Sequence, residues 1–303
     1  MERKIISIDE LTGDELIGLV HTAHDIKKHS ENFRSRLKNR SLLLLFQKTS
    51  TRTRVAFELG MKKLGGETVV MDWGKSNFTI SPLRYEAEYV GRMFDIILAR
   101  LVLTEDIIEL ADSVNVPVIN GCCNMYHPTQ ALADILTMYE VKGDFDFSLV
   151  YVGVQNNVAN SLFYACKKTG IRLTFVTPVE EAVPDDFHMQ ARQYDRFDRT
   201  DDLYEAVGRS DFVYTDTWVN MEKFTEAEAD SVQREKIAHM RKYQVNKQLL
   251  KGRDVYVLHD MPVHPGMEID KYAIHCETSL IYQQAENRMF TAQALLLHLL
   301  EDE

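Results

Sequence analysis

The sequence predicts an α/β protein of two similar-sized domains, each a mainly parallel sheet flanked by helices, with bridging helices and a C-terminal helix packing back. Three observations carry this. Apolar strand-like runs alternate with amphipathic helix-like stretches, and strand–helix repetition builds right-handed βαβ units. Four such runs precede residue 136 and four follow residue 145. The 303-residue length is long for one core and comfortable for two.

The first strand set is SLLLLF (41–46), ETVVMD (67–72), DIILAR (95–100) and VPVIN (116–120). The second is FSLVYVG (147–153), IRLTFVT (171–177), DFVYTD (211–216) and DVYVLHD (254–260). RTRVAFELGMKKLG (52–65), TEDIIELADSV (104–114) and TQALADILTMYEVKG (129–143) place apolar residues at helical spacing. The helix around 129–142 is the natural bridge, and NRMFTAQALLLHLL (287–300) is expected to pack back onto the body. The expected division is 1–136, 137–285 and a returning helix at 286–303. A cleft lined by strand ends, between two such domains, is the default binding site.

Composition narrows the function. With 45% apolar and 27% charged residues the chain reads as an ordinary soluble globular protein. A net charge of −11 argues against broad nucleic-acid or membrane-surface binding. No apolar run approaches the roughly 18 residues of a membrane helix. The opening MERKIISIDELTGDEL turns acidic at once, unlike a signal peptide. Cys122, Cys123, Cys166 and Cys276 form no CxxC pair, and are expected to be reduced thiols in the cytoplasm.

Six constellations stand at element ends. In FQKTSTRTRVAFELG (46–60), Ser50, Thr51, Arg52, Thr53 and Arg54 open a helix after a buried strand. Free N–H groups, the helix dipole and bidentate guanidinium geometry suit a phosphate. A capped helix with a solvated basic turn fits the same residues. Arg100 ends its strand, as a cleft residue or a rim ion-pair partner. In HPTQALAD, Pro128 suits the first helical position. His127 and Gln130 can there hydrogen-bond a polarised carbonyl or amide, or serve as satisfied structural polar groups. Gly153, Asn156 and Asn157 join a strand to a helix; they suit a carboxylate or simple capping. No G-x-G-x-x-G occurs, so a dinucleotide site is poorly supported. Asp216 closes a strand before Trp218, Asn220 and Met221, where a carboxylate can meet an ammonium or cap a turn. Arg288 is expected at the start of the terminal helix, where the dipole disfavours a cation unless an anion or an ion-pair partner is near.

S-T-R-T-R after a strand, H-P-T-Q-A-L-A-D after VPVIN, D-T-W before a loop and A-E-N-R near the last helix resemble the aspartate/ornithine carbamoyltransferase family, across nearly the whole chain. The NNVANS, TDTW and YQVN stretches are more similar to its ornithine branch. The resemblance implies that Ser50, Thr51, Arg52 and Thr53 hold the phosphate of carbamoyl phosphate. It implies that Arg100, His127 and Gln130 grip the carbamoyl group and that Arg288 adds a contact. It assigns Asn157 and Asp216 to the acceptor's α-carboxylate and α-amino group, and puts Asn220 and Met221 on a mobile acceptor loop. A homotrimer is implied. The chemistry is attack of a neutral amine on the carbamoyl carbon. Thr53, Arg100 and His127 would stabilise the oxyanion, and phosphate leaves against Arg52 and the helix N-terminus. It calls for no cofactor and no metal.

The acceptor-site motif is atypical. His-Asp-Met-Pro (259–262) stands where the ornithine branch carries His-Cys-Leu-Pro, and Asn220-Met221-Glu222 replaces Ser-Met-Gly. Residues 72–92, with Trp73 and Arg84, also depart from the family loop. Asp260, with Met261 beside it, is expected to face the reacting amine and select a cationic acceptor. The side chain is bulkier than a thiol, so a shorter diamino acid such as 2,3-diaminopropionate or 2,4-diaminobutyrate competes with ornithine. The alternative is that Asp260 pairs with a cation such as His264. Other functions consistent with the chain are a carbamoyltransferase for a diamine or an N-acylated ornithine, and a catalytically silent homologue.

Overall fold

The computed structural model describes residues 4–219 and 231–301. Its first sheet holds β1 (Lys4–Ile5), β2 (Ser41–Phe46), β3 (Glu67–Asp72), β4 (Ile96–Arg100) and β5 (Val118–Asn120), in the order β1-β5-β4-β2-β3. The second holds β6 (Ser148–Gln155), β7 (Arg172–Glu180), β8 (Phe197–Arg199), β9 (Phe212–Thr215) and β10 (Tyr256–His259), in the order β10-β9-β6-β7-β8. Every strand pairing within the two sheets is parallel. Parallel sheets are covered on both faces, so their strands read as continuous apolar runs. Leu42 to Leu45 on β2 are all fully buried.

The first domain carries α1 (Gly13–Lys28), α2 (Arg52–Lys63), α3 (Leu83–Gly91), α4 (Thr104–Asp112) and α5 (Pro128–Lys142). The second carries α6 (Asn157–Thr169), α7 (Phe187–Arg192), α8 (Leu203–Gly208), α9 (Ser231–Met240), α10 (Lys247–Leu250) and α11 (Lys271–His275), and the last helix, α12 (Ile281–Leu300), packs back on α1, α2 and α5 of the first domain. Pro128 opens α5 and Gly143, at φ 79°, ends it in the left-handed region that favours glycine. One core unites Leu42 and Phe57 of the first domain, Tyr151 and Phe175 of the second, and Ile135 and Leu295 of α5 and α12. The divisions expected at 136 and 285 therefore fall inside two helices that both domains share.

Two details differ from the sequence expectation. The terminal helix starts at Ile281 rather than near Arg288. Arg288 lies two turns inside it, so the dipole argument does not apply; burial among other cations takes its place. Thr51 occupies the N-cap of α2 with helical backbone angles and makes no capping hydrogen bond. The hydroxyls expected to cap that helix do not, and its first turn keeps its N–H groups.

Candidate active site

Strand register brings the polar residues to common edges. Phe46 pairs with Arg100, and Gln47 N–H donates to the Arg100 carbonyl at 2.9 Å. The segment that runs into α2 thus starts beside Arg100. In the second sheet Thr215 pairs with both Val152 and His259. The next residues, Asp216 and Asp260, therefore leave the sheet at one edge, beside Gly153 of β6.

A cavity of about 620 Å³ lies between these edges. The first domain and α12 line it with Ser50, Thr51, Arg52, Arg100, His127 and Arg288. The second lines it with Asn156, Asn157, Asp216, Asp260 and Met261. The cavity thus brings together ten of the candidate site residues, with Asn156 beside them. Thr53 and Gln130 are fully buried just behind the lining. Asn220 and Met221 lie outside the described residues.

One wall is cationic. Arg288 Nη2 donates to Thr53 Oγ1 at 2.7 Å, while the buried Nε atoms of Arg52, Arg100 and Arg288 have no hydrogen-bond partner. Burial pushes the Arg288 guanidinium down to about 10, with Arg100 and Arg52 adding to the effect. Burial also lowers Arg52, against the pull of Asp260. Clustered, desolvated guanidiniums with unused donors fit a phosphate-bearing group. His127 is held well below its ordinary value by burial and by Arg288, Arg100 and Arg52, so its ring is neutral at physiological pH. The Thr129 hydroxyl lies 3.3 Å from His127 Nδ1. Donation to Nδ1 places the ring proton on Nε2, as a hydrogen-bond donor.

The opposite wall is acidic. Asp216 accepts from Asn156 Nδ2 at 2.6 Å and from the Thr217 N–H at 2.6 Å. Burial and the neighbouring Asp260 carboxylate push Asp216 well above the carboxylate range. Burial also raises Asp260, but hydrogen bonding to His259 and Asp216 and the charges of His259 and Arg52 outweigh it, and the net direction is down. The pair thus retains one proton, on Asp216. Asp260 Oδ1 lies 3.4 Å from His259 Nδ1, so its cationic neighbour is His259 rather than His264. His264 faces Glu268 instead, at 3.5 Å.

His259 is fully buried between Asp260 and Glu268, which lies 3.1 Å from Nε2. Met261 N–H is 2.9 Å from Nδ1, a geometry that suits the neutral ring. Burial also favours the neutral ring, but the two flanking carboxylates raise His259 to about 9. Two acids in a dry site outweigh one backbone hydrogen bond, so the ring is cationic at neutral pH. Asp216, His259 and Asp260 present donor atoms within 4.8 Å of one another, a spacing that could hold a metal ion. With an imidazolium inside the set and the Arg52 charge beside it, the acids suit an ammonium better than a metal.

Asn157 lines the cavity and also makes a contact between the domains. Its Nδ2 donates to the Cys123 carbonyl at 2.7 Å, bracing the first domain against α6. Asn156, not Asn157, caps α6, with Oδ1 accepting from the Val158 and Ala159 N–H groups. The anion-binding end of α6 is therefore partly used. Sequence reasoning also passed over Cys122, which lines the cavity, and the Gln284 and Glu268 contacts to His259. No motif signals these, because the contacts to His259 come from 9 and 25 positions further along the chain.

A family model for the carbamoyl-phosphate-binding domain of aspartate/ornithine carbamoyltransferases matches residues 3–140, and one for the Asp/Orn-binding domain matches 146–299. An ornithine carbamoyltransferase of Archaeoglobus fulgidus is 36% identical, over 99% of this chain and 98% of the relative. A catabolic ornithine carbamoyltransferase of Halobacterium salinarum is 35% identical, over 96% and 97%. Crystal structures of ornithine carbamoyltransferases are similar throughout. That from Thermus thermophilus has TM-score 0.87 and 32% identity, covering 99% of this chain and 100% of its own. The Pyrococcus furiosus enzyme has TM-score 0.88 and 34% identity, covering 97% and 96%.

Proposed function

The chain belongs to the aspartate/ornithine carbamoyltransferase family and is a carbamoyltransferase; we propose that it moves the carbamoyl group of carbamoyl phosphate onto the side-chain amine of a free diamino acid. Ornithine or a shorter analogue such as 2,3-diaminopropionate is the acceptor. The observation that carries this is the division of one cavity into a guanidinium wall and a carboxylate wall.

Arg52, Arg100 and Arg288, with Ser50 and Thr51, hold the phosphate and its growing charge as the C–O bond breaks. His127 Nε2–H and Arg100 donate to the carbamoyl oxygen as it becomes an oxyanion. Thr53 anchors Arg288, and Gln130 contacts the carbamoyl amide. Asp216 receives the α-ammonium. Asp260 faces the side-chain ammonium as a carboxylate that His259 and Arg52 keep ionised, and the ammonium proton passes to solvent before attack. The amine then attacks as a neutral nucleophile, and positioning of two bound reactants supplies much of the rate.

One observation favours a second acceptor class. The Asn157 amide and the first N–H groups of α6 are already engaged, which leaves fewer donors for an α-carboxylate. A diamine without that group fits the same carboxylate pair. Incubation with carbamoyl phosphate and ornithine, 2,4-diaminobutyrate, 2,3-diaminopropionate, N-acetylornithine or putrescine, with the ureido product identified by mass, separates these. A product from a free diamino acid is expected. A product from putrescine alone supports the second class, and no ureido product from any of the amines sinks both.

We further propose a cytoplasmic homotrimer. Ile80, Tyr85, Tyr89 and Met93 are exposed on one short stretch of the first domain, and an apolar surface of this kind marks an interface. No helix among the described residues is long and apolar enough to cross a membrane.

A further inference from the structure

Asp134 is fully buried on α5, one turn beyond Gln130, and is not among the residues lining the cavity. Its Oδ1 accepts from Gln130 Nε2 at 2.8 Å and from Gln284 Nε2 at 2.7 Å. Gln284 in turn accepts, through Oε1, the His259 backbone N–H at 2.9 Å. One carboxylate oxygen therefore fixes two primary amides. One amide stands behind the cationic wall. The other holds the strand end from which Asp260 enters the cavity.

The consequence for Gln130 is directional. A primary amide has a donor end and an acceptor end. Because Asp134 takes the Nε2 donor, Oε1 is the end left over, and it is buried without a partner. A buried acceptor without a partner is costly. The ligand of this site offers the matching group: a carbamoyl NH₂ has two donors and needs acceptors. The nearby wall is made almost wholly of donors, from Arg52, Arg100, Arg288 and His127. If Gln130 were flipped, its NH₂ would meet the carbamoyl NH₂ and neither would find a partner.

We propose that Asp134 is a positioning residue that fixes Gln130 with its carbonyl oxygen toward the carbamoyl NH₂ and, through Gln284, holds the His259–Asp260 turn in register with it. This rests on the carbamoyl-phosphate reading of the cavity. Asp134 touches neither reactant. It acts on the carbamoyl group through Gln130 and on the acceptor side through Gln284.

The test uses the full-length protein, with KM and kcat measured by phosphate release. Asp134→Ala removes the shared acceptor and is expected to raise the carbamoyl-phosphate KM about tenfold or more, the worth of a hydrogen bond to a charged group. Asp134→Asn keeps an acceptor oxygen in the same place and is expected to stay within about threefold of wild type. In a Gln130→Ala background, adding Asp134→Ala should change that KM by less than about twofold, because the amide it orients is gone. An unmoved KM in Asp134→Ala overturns the proposal, as does full additivity with Gln130→Ala. If the alanine variant does not fold, Asp134→Asn decides alone: a tenfold rise in KM there overturns the proposal. Absence of phosphate release by wild type would sink the carbamoyl-phosphate reading and this inference together. Release by wild type with an insensitive Asp134 sinks only the latter.

Discussion

Arg288 on the last helix donates a 2.7 Å hydrogen bond to Thr53 on the first turn of α2, joining residues 235 positions apart in the chain. That contact ties the returning helix to the segment assigned to phosphate. Thr53→Val keeps the volume and removes the acceptor, leaving a buried guanidinium N–H without a partner, at about 1–3 kcal/mol. We expect a lowered melting temperature and about a tenfold or greater fall in kcat/KM for carbamoyl phosphate. Thr53→Ser should restore most of both. Equal activity in Thr53→Val would remove Thr53 from the site.

His127 is expected to work as a neutral donor. Burial and three arginines hold it well below 6.5, so it gives no titration limb between pH 6.5 and 8. His127→Ala should lower kcat by roughly 10²–10³-fold, as for loss of one oxyanion donor. An imidazole titrating near pH 6.5 in the NMR spectrum, assigned through that variant, would contradict the neutral ring.

Asp216 and Asp260 retain one proton between them. An ammonium docking on Asp216 favours its ionised form, so acceptor binding should expel that proton. The carboxyl is pushed well above 3.8, hence the acceptor KM should fall as pH rises. Calorimetry in buffers of different ionisation enthalpy reads the release directly. A binding heat independent of buffer would contradict the shared proton.

Glu268 and His259 form a buried ion pair with a defined pH window. Glu268 drops from 4.5 to about 2 as His259 and His264 overcome its burial. Its stabilisation is complete above pH 4.5 and lost as pH falls toward 2. His259 rises from 6.5 to about 9. Its stabilisation is complete below pH 6.5 and lost as pH climbs through 9. Both are complete only between about pH 4.5 and 6.5. Glu268→Gln should destabilise most there, by about 3–5 kcal/mol, and the gap in melting temperature should narrow at higher pH. A gap that does not change with pH would show that the two groups are not ionised together.

The sheets and the cavity residues were legible in the sequence for a physical reason. Parallel strands buried on both faces read as unbroken apolar runs, so β2, β4 and β6 announce themselves, and their ends carry the site. Other features were not legible. The two-residue β1 is too short to show a period. The first helix had a signal that went unused: Thr12 and Glu15 form a capping box. Arg288 was placed at a helix start because its apolar pattern strengthens only after residue 287. The Asn157 brace to Cys123, and the network from Asp134 through Gln284 to His259, depend on how two domains and two shared helices meet. No local spacing encodes those contacts.

Asp260 is the residue on which the choice of acceptor turns. Phosphate release should be measured for wild type and Asp260→Cys with ornithine, 2,4-diaminobutyrate and 2,3-diaminopropionate, comparing kcat/KM across the set. A carboxylate facing the amine should favour one chain length, and the thiol should shift preference toward ornithine by about tenfold or more. An unchanged ranking, with both forms active, would show that Asp260 does not touch the acceptor and would contradict the account.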